Sequence, residues 1–297
     1  MVPAFRHLPP ARIAMTLHPA ISSGRTAVIT GGAGGIGLAA AQRFAAAGMN
    51  LVLADLDPAA LDAAAATIAR AAPGAKVIAV ACDVSRMEEV RAVKERAYAT
   101  FGDVAVLMNN AGIQPAAGPF DHYEVWQRVL GVNLWGVING VQAFAEAMIG
   151  QGDDAMIVNT GSKQGITCPP GNTVYNVSKA GVKVLTEALQ HTLRSTPGCR
   201  VSAHLLVPGW THTGLTAKSP GEAKPDGAWT ADQVVDVMLE RTARGDFYII
   251  CPDNDVDWET DRKRIQWAAG DITENRPPLS RWHADYGEAF KAFLAGA

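Results

Sequence analysis

From Arg25 onward, short apolar runs alternate with longer Ala-rich or amphipathic segments, the pattern of parallel strands joined by crossover helices. The pattern predicts strands at 26–30 (TAVIT), 51–55 (LVLAD), 76–82 (KVIAVAC), 104–110 (VAVLMNN), 155–160 (AMIVNT), 201–208 (VSAHLLVP) and 247–251 (FYIIC). All seven are apolar nearly throughout, which favours strands covered by helices on both faces over a half-exposed antiparallel sheet. Helices are predicted at 35–47, 58–72, 86–101, 121–150, 174–195 and 230–244. Asp57-Pro58 suits the start of the second, because a proline in the first helical turn gives up no bonded N–H. The fold class that follows is α/β, with a doubly wound, seven-stranded parallel sheet in a single domain.

No internal repeat or long low-complexity linker divides the chain, so residues 25–251 read as one domain. Residues 1–24 are expected to form a disordered or extended arm, since four prolines interrupt any signal-peptide core; Met15 is a plausible alternative start. Thr213 to Ala228 breaks the α/β rhythm with Gly, Pro, Lys and Ser. The tail, 252–297, holds Trp258, Trp267, Trp282, Tyr286, Phe290 and Phe293, so it is expected to pack on the domain or on a neighbouring subunit.

Composition narrows the function classes. A chain of 297 residues with 48% hydrophobic and 19% charged content is globular, and a net charge of -3 without a basic run gives no nucleic-acid footprint. No apolar stretch is long enough to span a bilayer. Cys82, Cys168, Cys199 and Cys251 are far apart and lack zinc spacing, so they read as reduced thiols of a cytoplasmic protein with no metal site. His191, His204 and His212 have no metal-ligand spacing either and read as structural or exposed.

Between the first strand and first helix lies Thr30-Gly31-Gly32-Ala33-Gly34-Gly35-Ile36-Gly37. Glycines there permit a tight turn, close approach of backbone to a pyrophosphate, and close helix–strand packing. The helix N-terminus adds free N–H groups and partial positive charge. Asp55 ends the second strand, about 20 residues on, where a carboxylate can accept hydrogen bonds from adenosine ribose hydroxyls. A 2′-phosphate beside Asp55 would meet like charge, and neither the turn nor residues 54–57 supplies Arg or Lys, so NAD is preferred over NADP. Asp83-Val84 and Asn109-Asn110-Ala111-Gly112 follow the third and fourth strands at the end where open α/β sheets bind ligands.

Tyr175-Asn176-Val177-Ser178-Lys179 opens a predicted helix, and the spacing of four puts the phenol and ammonium on one face. A nearby cation is expected to lower the Tyr175 pKa and make it a general acid or base. Ser162, thirteen residues before Tyr175, could donate to a carbonyl oxygen on which charge develops. With these motifs in order, residues 25–251 resemble the short-chain dehydrogenase/reductase family. Its TGxxxGxG pattern matches Thr30 to Gly37, its NNAG matches Asn109 to Gly112, and its YxxxK matches Tyr175 to Lys179; the family's asparagine, serine and PGxxxT match Asn133, Ser162 and Pro208-Gly209 through Thr213.

The resemblance implies a Rossmann fold with NAD across the strand C-termini and a hydride moved between nicotinamide and a secondary alcohol or ketone, hydrophobic or cyclic. It implies a proton relay through Tyr175, Lys179 and Asn133, with Lys179 also on the nicotinamide ribose, Ser162 on the substrate oxygen and Pro208, Gly209 and Thr213 beside the carboxamide. It further implies a homotetramer or homodimer through the helices at 121–150 and 174–195. The chain departs from the family at Gly161, at Lys163, which adds a charge near the site, and at Ile249-Ile250-Cys251-Pro252. Gln114, Ile166 and Trp210 are candidate substrate-pocket residues, Trp210 either stacking on substrate or packing the loop. Two rival readings are a non-catalytic dinucleotide sensor or scaffold, which would need no relay, and a lyase or dehalogenase, whose relatives usually lose the glycine turn.

Overall fold

Each residue of Thr26–Thr30 (β1) is buried, with Ala27 and Ile29 in the core on one side and Val28 in the core on the other. Such two-sided burial is the condition that continuous apolar strands satisfy in a parallel sheet. A computed structural model describes residues 16–217, 219 and 221–296. Beside β1 lie β2 (Asn50–Asp55), β3 (Val77–Ala81), β4 (Val106–Asn109), β5 (Ala155–Thr160), β6 (Val201–Val207) and β7 (Tyr248–Ile250). All neighbours pair parallel, in the order β3-β2-β1-β4-β5-β6-β7, so the expected seven-stranded α/β sheet is present.

Helices α1 (Gly35–Ala46) and α2 (Pro58–Ala71) cover one face of this sheet. Helix α3 (Met87–Phe101) covers the other. Asp57 caps α2, its side chain accepting from the Ala59 N–H at 2.9 Å. Two expectations change at this level. β3 is half-exposed rather than covered, because only β2 pairs with it at the sheet edge. The run expected as one helix over 121–150 is α4 (Tyr123–Leu130) and α5 (Gly136–Gly150), joined by a π-helical turn over Gly131–Trp135. That turn carries Asn133, whose amide is clamped by Ile113: Oδ1 accepts from the Ile113 N–H at 2.8 Å and Nδ2 donates to the Ile113 carbonyl at 2.9 Å.

The rest of the chain adds α6 (Gln164–Thr167), α7 (Thr173–Ser195), α8 (Ala231–Ala243), α9 (Trp258–Thr273) and α10 (Gly287–Ala295). α8 joins the face of α1, while α5 and α7 join that of α3. In the extension, Trp267 of α9 packs edge-on to Phe290 of α10 at 5.3 Å, and the Arg276 guanidinium lies 4.1 Å over the Trp267 ring. No helix among the described residues is long and apolar enough to cross a membrane.

Residues 16–24, part of the disordered or extended arm expected over 1–24, follow an irregular course anchored on the domain; residues 1–15 lie outside the described part. Ala20 and Ile21 are buried, because the segment carries its own apolar anchor and a polar latch. His18 Nδ1 accepts from the Ala20 N–H at 3.1 Å, so its Nε2 carries the proton and faces Ser202 Oγ at 3.3 Å. Ser202 Oγ in turn meets His204 Nε2 at 2.9 Å, and His204 Nδ1 meets the Asp246 carbonyl at 2.8 Å. A carbonyl only accepts, so His204 is protonated on Nδ1 and takes the Ser202 hydroxyl proton on Nε2. The chain of bonds is self-consistent only with both imidazoles neutral.

Burial, then the neighbouring His204, lowers the His18 pKa from 6.5 to about 4; burial lowers that of His204. Above pH 6.5 neither folded nor unfolded His18 is charged; as pH falls toward about 4, the unfolded chain takes up a proton that the folded chain refuses, and stability is lost. His18→Gln removes this linkage. The gap in Tm between wild type and His18→Gln should therefore narrow as pH drops from 6.5 toward 4. A gap that stays constant over that window would exclude the latch as an acid-sensitive element.

Candidate active site

The strand order reverses direction between β1 and β4, which leaves a crevice at their carboxyl ends. A cleft of about 1120 Å³ opens there. Thr30, the last residue of β1, ties the two strands: its Oγ1 accepts from the Asn110 N–H at 3.0 Å and the Ala111 N–H at 3.2 Å. The glycine turn then passes so close to this loop that side chains are excluded. Gly31 has φ 63° and a Cβ there would lie 2.8 Å from Ala111 Cα, while one at Gly37 would lie 2.1 Å from the Gly31 carbonyl oxygen. Gly34 caps α1 without a side chain, and no acidic residue occupies the first turn. Its free N–H groups and positive dipole end, on the cleft wall at Gly34, Gly35 and Ile36, suit a pyrophosphate.

At one end of the cleft, Asp55 Oδ2 accepts from the Ala33 N–H at 3.0 Å and Oδ1 from the Leu56 N–H at 2.8 Å. These two bonds orient the carboxylate, and its remaining lone pairs stay available for hydroxyl donors. Asp57 also lines this end. Among the described residues, the cations lining the cleft are Lys163 and Lys179, beside Ser162 and Tyr175. Asp83, Val84 and Gly112 form wall between the two ends.

At the other end, α7 starts at Asn172, whose side chain accepts from the Tyr175 N–H at 3.3 Å. Lys179 follows one turn on and is buried, its Nζ donating to the Thr160 carbonyl at 2.8 Å. A hydrogen bond from a charged group contributes about 1.5–3 kcal/mol, whereas stripping water from an ammonium costs several, so desolvation wins. The Lys179 pKa accordingly falls to about 8. Burial pushes the Tyr175 phenol up, and the nearby Ser162 hydroxyl acts the other way. The expected lowering of Tyr175 by a neighbouring cation is thus not what governs it: Lys179 Nζ sits 5.8 Å from the ring centroid. Burial holds Tyr175 as a neutral phenol.

Most of the residues singled out in the sequence line this cleft, including Asn110, Ala111, Gln114, Pro208, Gly209, Trp210 and Thr213. Three do not. Gly37 lies beneath the turn as a packing contact, and Asn133 is fully buried, with its amide bonded to Ile113 and Ser178 rather than to Lys179. Gly112 lies between them: a Cβ there would be 3.5 Å from Asn133 Oδ1 and 3.8 Å from Lys179 Nζ. Ile166 packs with Val137, Val182 and Leu205, because the short α6 turns it into the core, and Gln164 takes its place in the wall. Gln164, Leu215 and Thr216 were not singled out; no residue pattern marks them, since an irregular loop and a one-turn helix carry no period. Trp210 is 46% exposed, so it packs on the loop only in part. No His, Cys, Asp and Glu cluster that could hold a metal occurs among the described residues.

A family model for short chain dehydrogenases matches residues 25–223. The chain is 36% identical to a 3beta-hydroxysteroid dehydrogenase of Eggerthella lenta over 209 residues, 69% of this chain and 78% of that protein. It is 31% identical to the D-beta-hydroxybutyrate dehydrogenase of Cupriavidus necator over 233 residues, 78% of this chain and 87% of that protein. Among solved structures, a short chain dehydrogenase/reductase of Burkholderia phymatum in complex with NAD superposes with a TM-score of 0.77 and 35% identity, covering 86% of this chain and 96% of that one.

The close approach at the glycine turn predicts an ordered series of stabilities. Gly37→Ala must push a Cβ into the Gly31 carbonyl and should lower stability by about 1–3 kcal/mol, a typical overpacking cost. Gly34→Ala has nothing within 4 Å and an extended φ of -159°, so it should unfold near wild type. Thermal melts of the two variants would contradict this geometry if they coincided.

Proposed function

This chain belongs to the short chain dehydrogenase family, and on that footing we propose that it transfers a hydride between NAD(H) and a secondary alcohol or ketone, hydrophobic or cyclic. The observation that carries the reading is one cleft with Asp55 at one end and Ser162, Tyr175 and buried Lys179 together at the other. The residues fit a dinucleotide: a side-chain-free turn, an uncapped helix start and a carboxylate with spare lone pairs. Such a cofactor, when bound, supplies the hydride acceptor or donor.

The chain's own residues do the rest. Asp55 would receive the adenosine ribose hydroxyls, and Lys179, with ammonium donors to spare beyond the Thr160 bond, would receive the nicotinamide ribose. Pro208, Gly209 and Thr213, also on the cleft wall, would border the carboxamide. Ser162 donates to the substrate oxygen as charge develops there. Tyr175 Oη gives its proton to that oxygen in reduction and takes it back in oxidation, with Lys179 beside it as the next proton carrier and Asn133 behind Gly112 to hold the relay's geometry. A pure nucleotide sensor would have no use for a buried phenol beside Ser162 and Lys179.

Trp210, exposed on the rim, and Ile113 offer apolar area to the substrate, and similarity to a hydroxysteroid dehydrogenase supports a bulky alicyclic alcohol. A short hydroxy acid is less well served. Lys179 is buried and Lys163 is engaged by two carboxylates, so neither is free for a substrate carboxylate. Free thiols at four cysteines fit a cytoplasmic protein, and exposed Trp135, Val177 and Val184 on the central helices support a homotetramer or homodimer.

Two predictions follow from these roles. Tyr175→Phe should leave NADH binding unchanged and cut turnover about 10²-fold or more, while Lys179→Ala should impair both; NADH formation with a panel of cyclic, aromatic and steroid-like alcohols is the assay. Because burial raises the Tyr175 pKa above its ordinary value, the phenol persists through neutral pH, and in wild type oxidation should rise and reduction fall only as pH increases into the strongly alkaline range. Wild-type turnover in Tyr175→Phe would remove Tyr175 from the mechanism.

For the cofactor, a ribose bond to Asp55 is lost with NADP, and a phosphate of roughly -2 charge is brought against a fixed anion. Charge-assisted bonds contribute about 1.5–3 kcal/mol, so NAD should exceed NADP at least about tenfold in kcat/KM. Asp55→Ala should narrow that ratio from both sides, and adding Leu56→Arg should push it further toward NADP. A wild-type enzyme favouring NADP would refute this role for Asp55.

A further inference from the structure

Lys163 directly follows Ser162, yet its partners come from the far end of the chain. Its Nζ lies 2.6 Å from Asp261 Oδ2, off the line of a hydrogen bond, and 3.3 Å from Asp253 Oδ2. The side chains of both aspartates are only 7% exposed and that of the lysine 18%, so this is an ion triad largely out of water. Burial pushes the Asp261 carboxyl up, and Lys163 acts against that. Arg264 and Arg281 also act on Asp261, so the triad belongs to a wider cluster of charges, a costly arrangement unless geometry requires it.

The geometry lies around Gly209 and Trp210. Asp253 Oδ2, the same oxygen that meets Lys163, accepts the Trp210 N–H at 3.1 Å. Gly209 is pressed against the triad, since a Cβ there would lie 2.6 Å from Asp253 Oδ2 and 3.0 Å from Lys163 Nζ. The next links close a ring: the Trp210 carbonyl accepts from the Trp229 N–H at 2.8 Å, and Trp229 Nε1 donates to Asn254 Oδ1 at 3.0 Å. Asn254 adjoins Asp253, so the Gly209–Trp210 backbone is held on both sides by one turn of the extension.

We propose that Lys163 is a positioning residue: by holding Asp253 and Asp261 together it sets the Gly209–Trp210 backbone against which the nicotinamide lies, making the C-terminal extension part of the cofactor site. The proposal rests on the reading above that this loop borders the nicotinamide. Without the ammonium, two buried carboxylates repel each other, and Asp253 is displaced along with the Trp210 N–H it holds. Asp55, at the opposite end of the cleft, is untouched, and the glycine turn meets this loop at Thr213, beside Gly35, rather than at Gly209 or Trp210.

The test separates the two ends of the ligand by comparing NADH with ADP-ribose, which lacks nicotinamide, in titrations without substrate. Lys163→Met should weaken NADH about tenfold and leave ADP-ribose within about twofold of wild type. Lys163→Arg, which keeps the charge, should recover most of the loss. Asp253→Ala, which removes the oxygen that joins Lys163 to the Trp210 N–H, should shift NADH in the same direction by a few-fold and decides the matter if Lys163→Met does not fold. Unchanged NADH affinity in the folded variants would overturn the proposal, as would equal weakening of both ligands, which is the mark of a structural role alone. Wild-type protein that binds neither ligand would remove the dinucleotide reading itself, and this inference with it.

Discussion

The bond from Lys179 to the Thr160 carbonyl sets the register between α7 and the end of β5, and the geometry of the reactive end depends on it. Along a helix, four residues rise about 6 Å. Along extended chain, two residues cover about 6.6 Å. Thr160 to Ser162 and Lys179 to Tyr175 therefore span nearly equal lengths, and fixing the lysine to the first member of one pair brings the tyrosine to the last member of the other. Gly165 permits this approach: a Cβ there would lie 2.5 Å from the Lys179 carbonyl carbon.

Beneath that register runs a buried polar chain. Asn109 Nδ2 donates to Asn159 Oδ1 at 2.9 Å, Asn159 Nδ2 donates to Thr186 Oγ1 at 3.0 Å, and Thr186 Oγ1 donates to the Val182 carbonyl at 2.6 Å. It ties β4 to β5 and β5 to α7 by directional contacts, which apolar packing alone could not orient. A half-satisfied chain would be worse than an apolar core, and most donors here are matched. The same economy appears at Thr30, where one hydroxyl aligns β1 with the loop after β4. The cleft is thus bounded by strand ends whose relative positions are fixed by side chains buried below it.

Much of this was legible from residue types and spacing. The period change from strand to helix located the sheet, the glycine turn stood out because side chains cannot occupy it, and a spacing of four placed Tyr175 and Lys179 on one face. What escaped had long-range or aperiodic causes. The π turn at Gly131–Trp135 inserts into an otherwise continuous helical pattern without changing residue type. Residues 16–24 read as an arm because His18 is legible as an anchor only when Ser202 and His204 are beside it. Ile166 faced inward because α6 makes one turn, too short to display a face. Lys163 stands out in the sequence as an unusual charge, but its partners lie 90 or more residues away; the acidic cluster from Asp253 to Asp261 is the available signal, since a lysine beside an apolar strand end needs a counter-ion.

The two lysines of the cleft separate structural from chemical use of the same residue type. Lys163 is compensated by two carboxylates, so its charge is spent locally and serves to hold backbone. Lys179 meets a carbonyl dipole instead of an anion, and its pKa falls to about 8 because nothing nearby repays the lost hydration. An ammonium in that condition gains from any negative charge that arrives beside it, and gains little before it arrives. Preorganised donors of this kind act on the charge that develops during reaction rather than on the ground state. A carboxylate partner for Lys179 would have made it easier to bury and would have cancelled that selectivity. The pairing of Lys179 with a backbone carbonyl, rather than with an acidic side chain, is therefore what leaves the positive potential available at the Ser162–Tyr175 end, while Asp55 and Asp57 keep the other end negative.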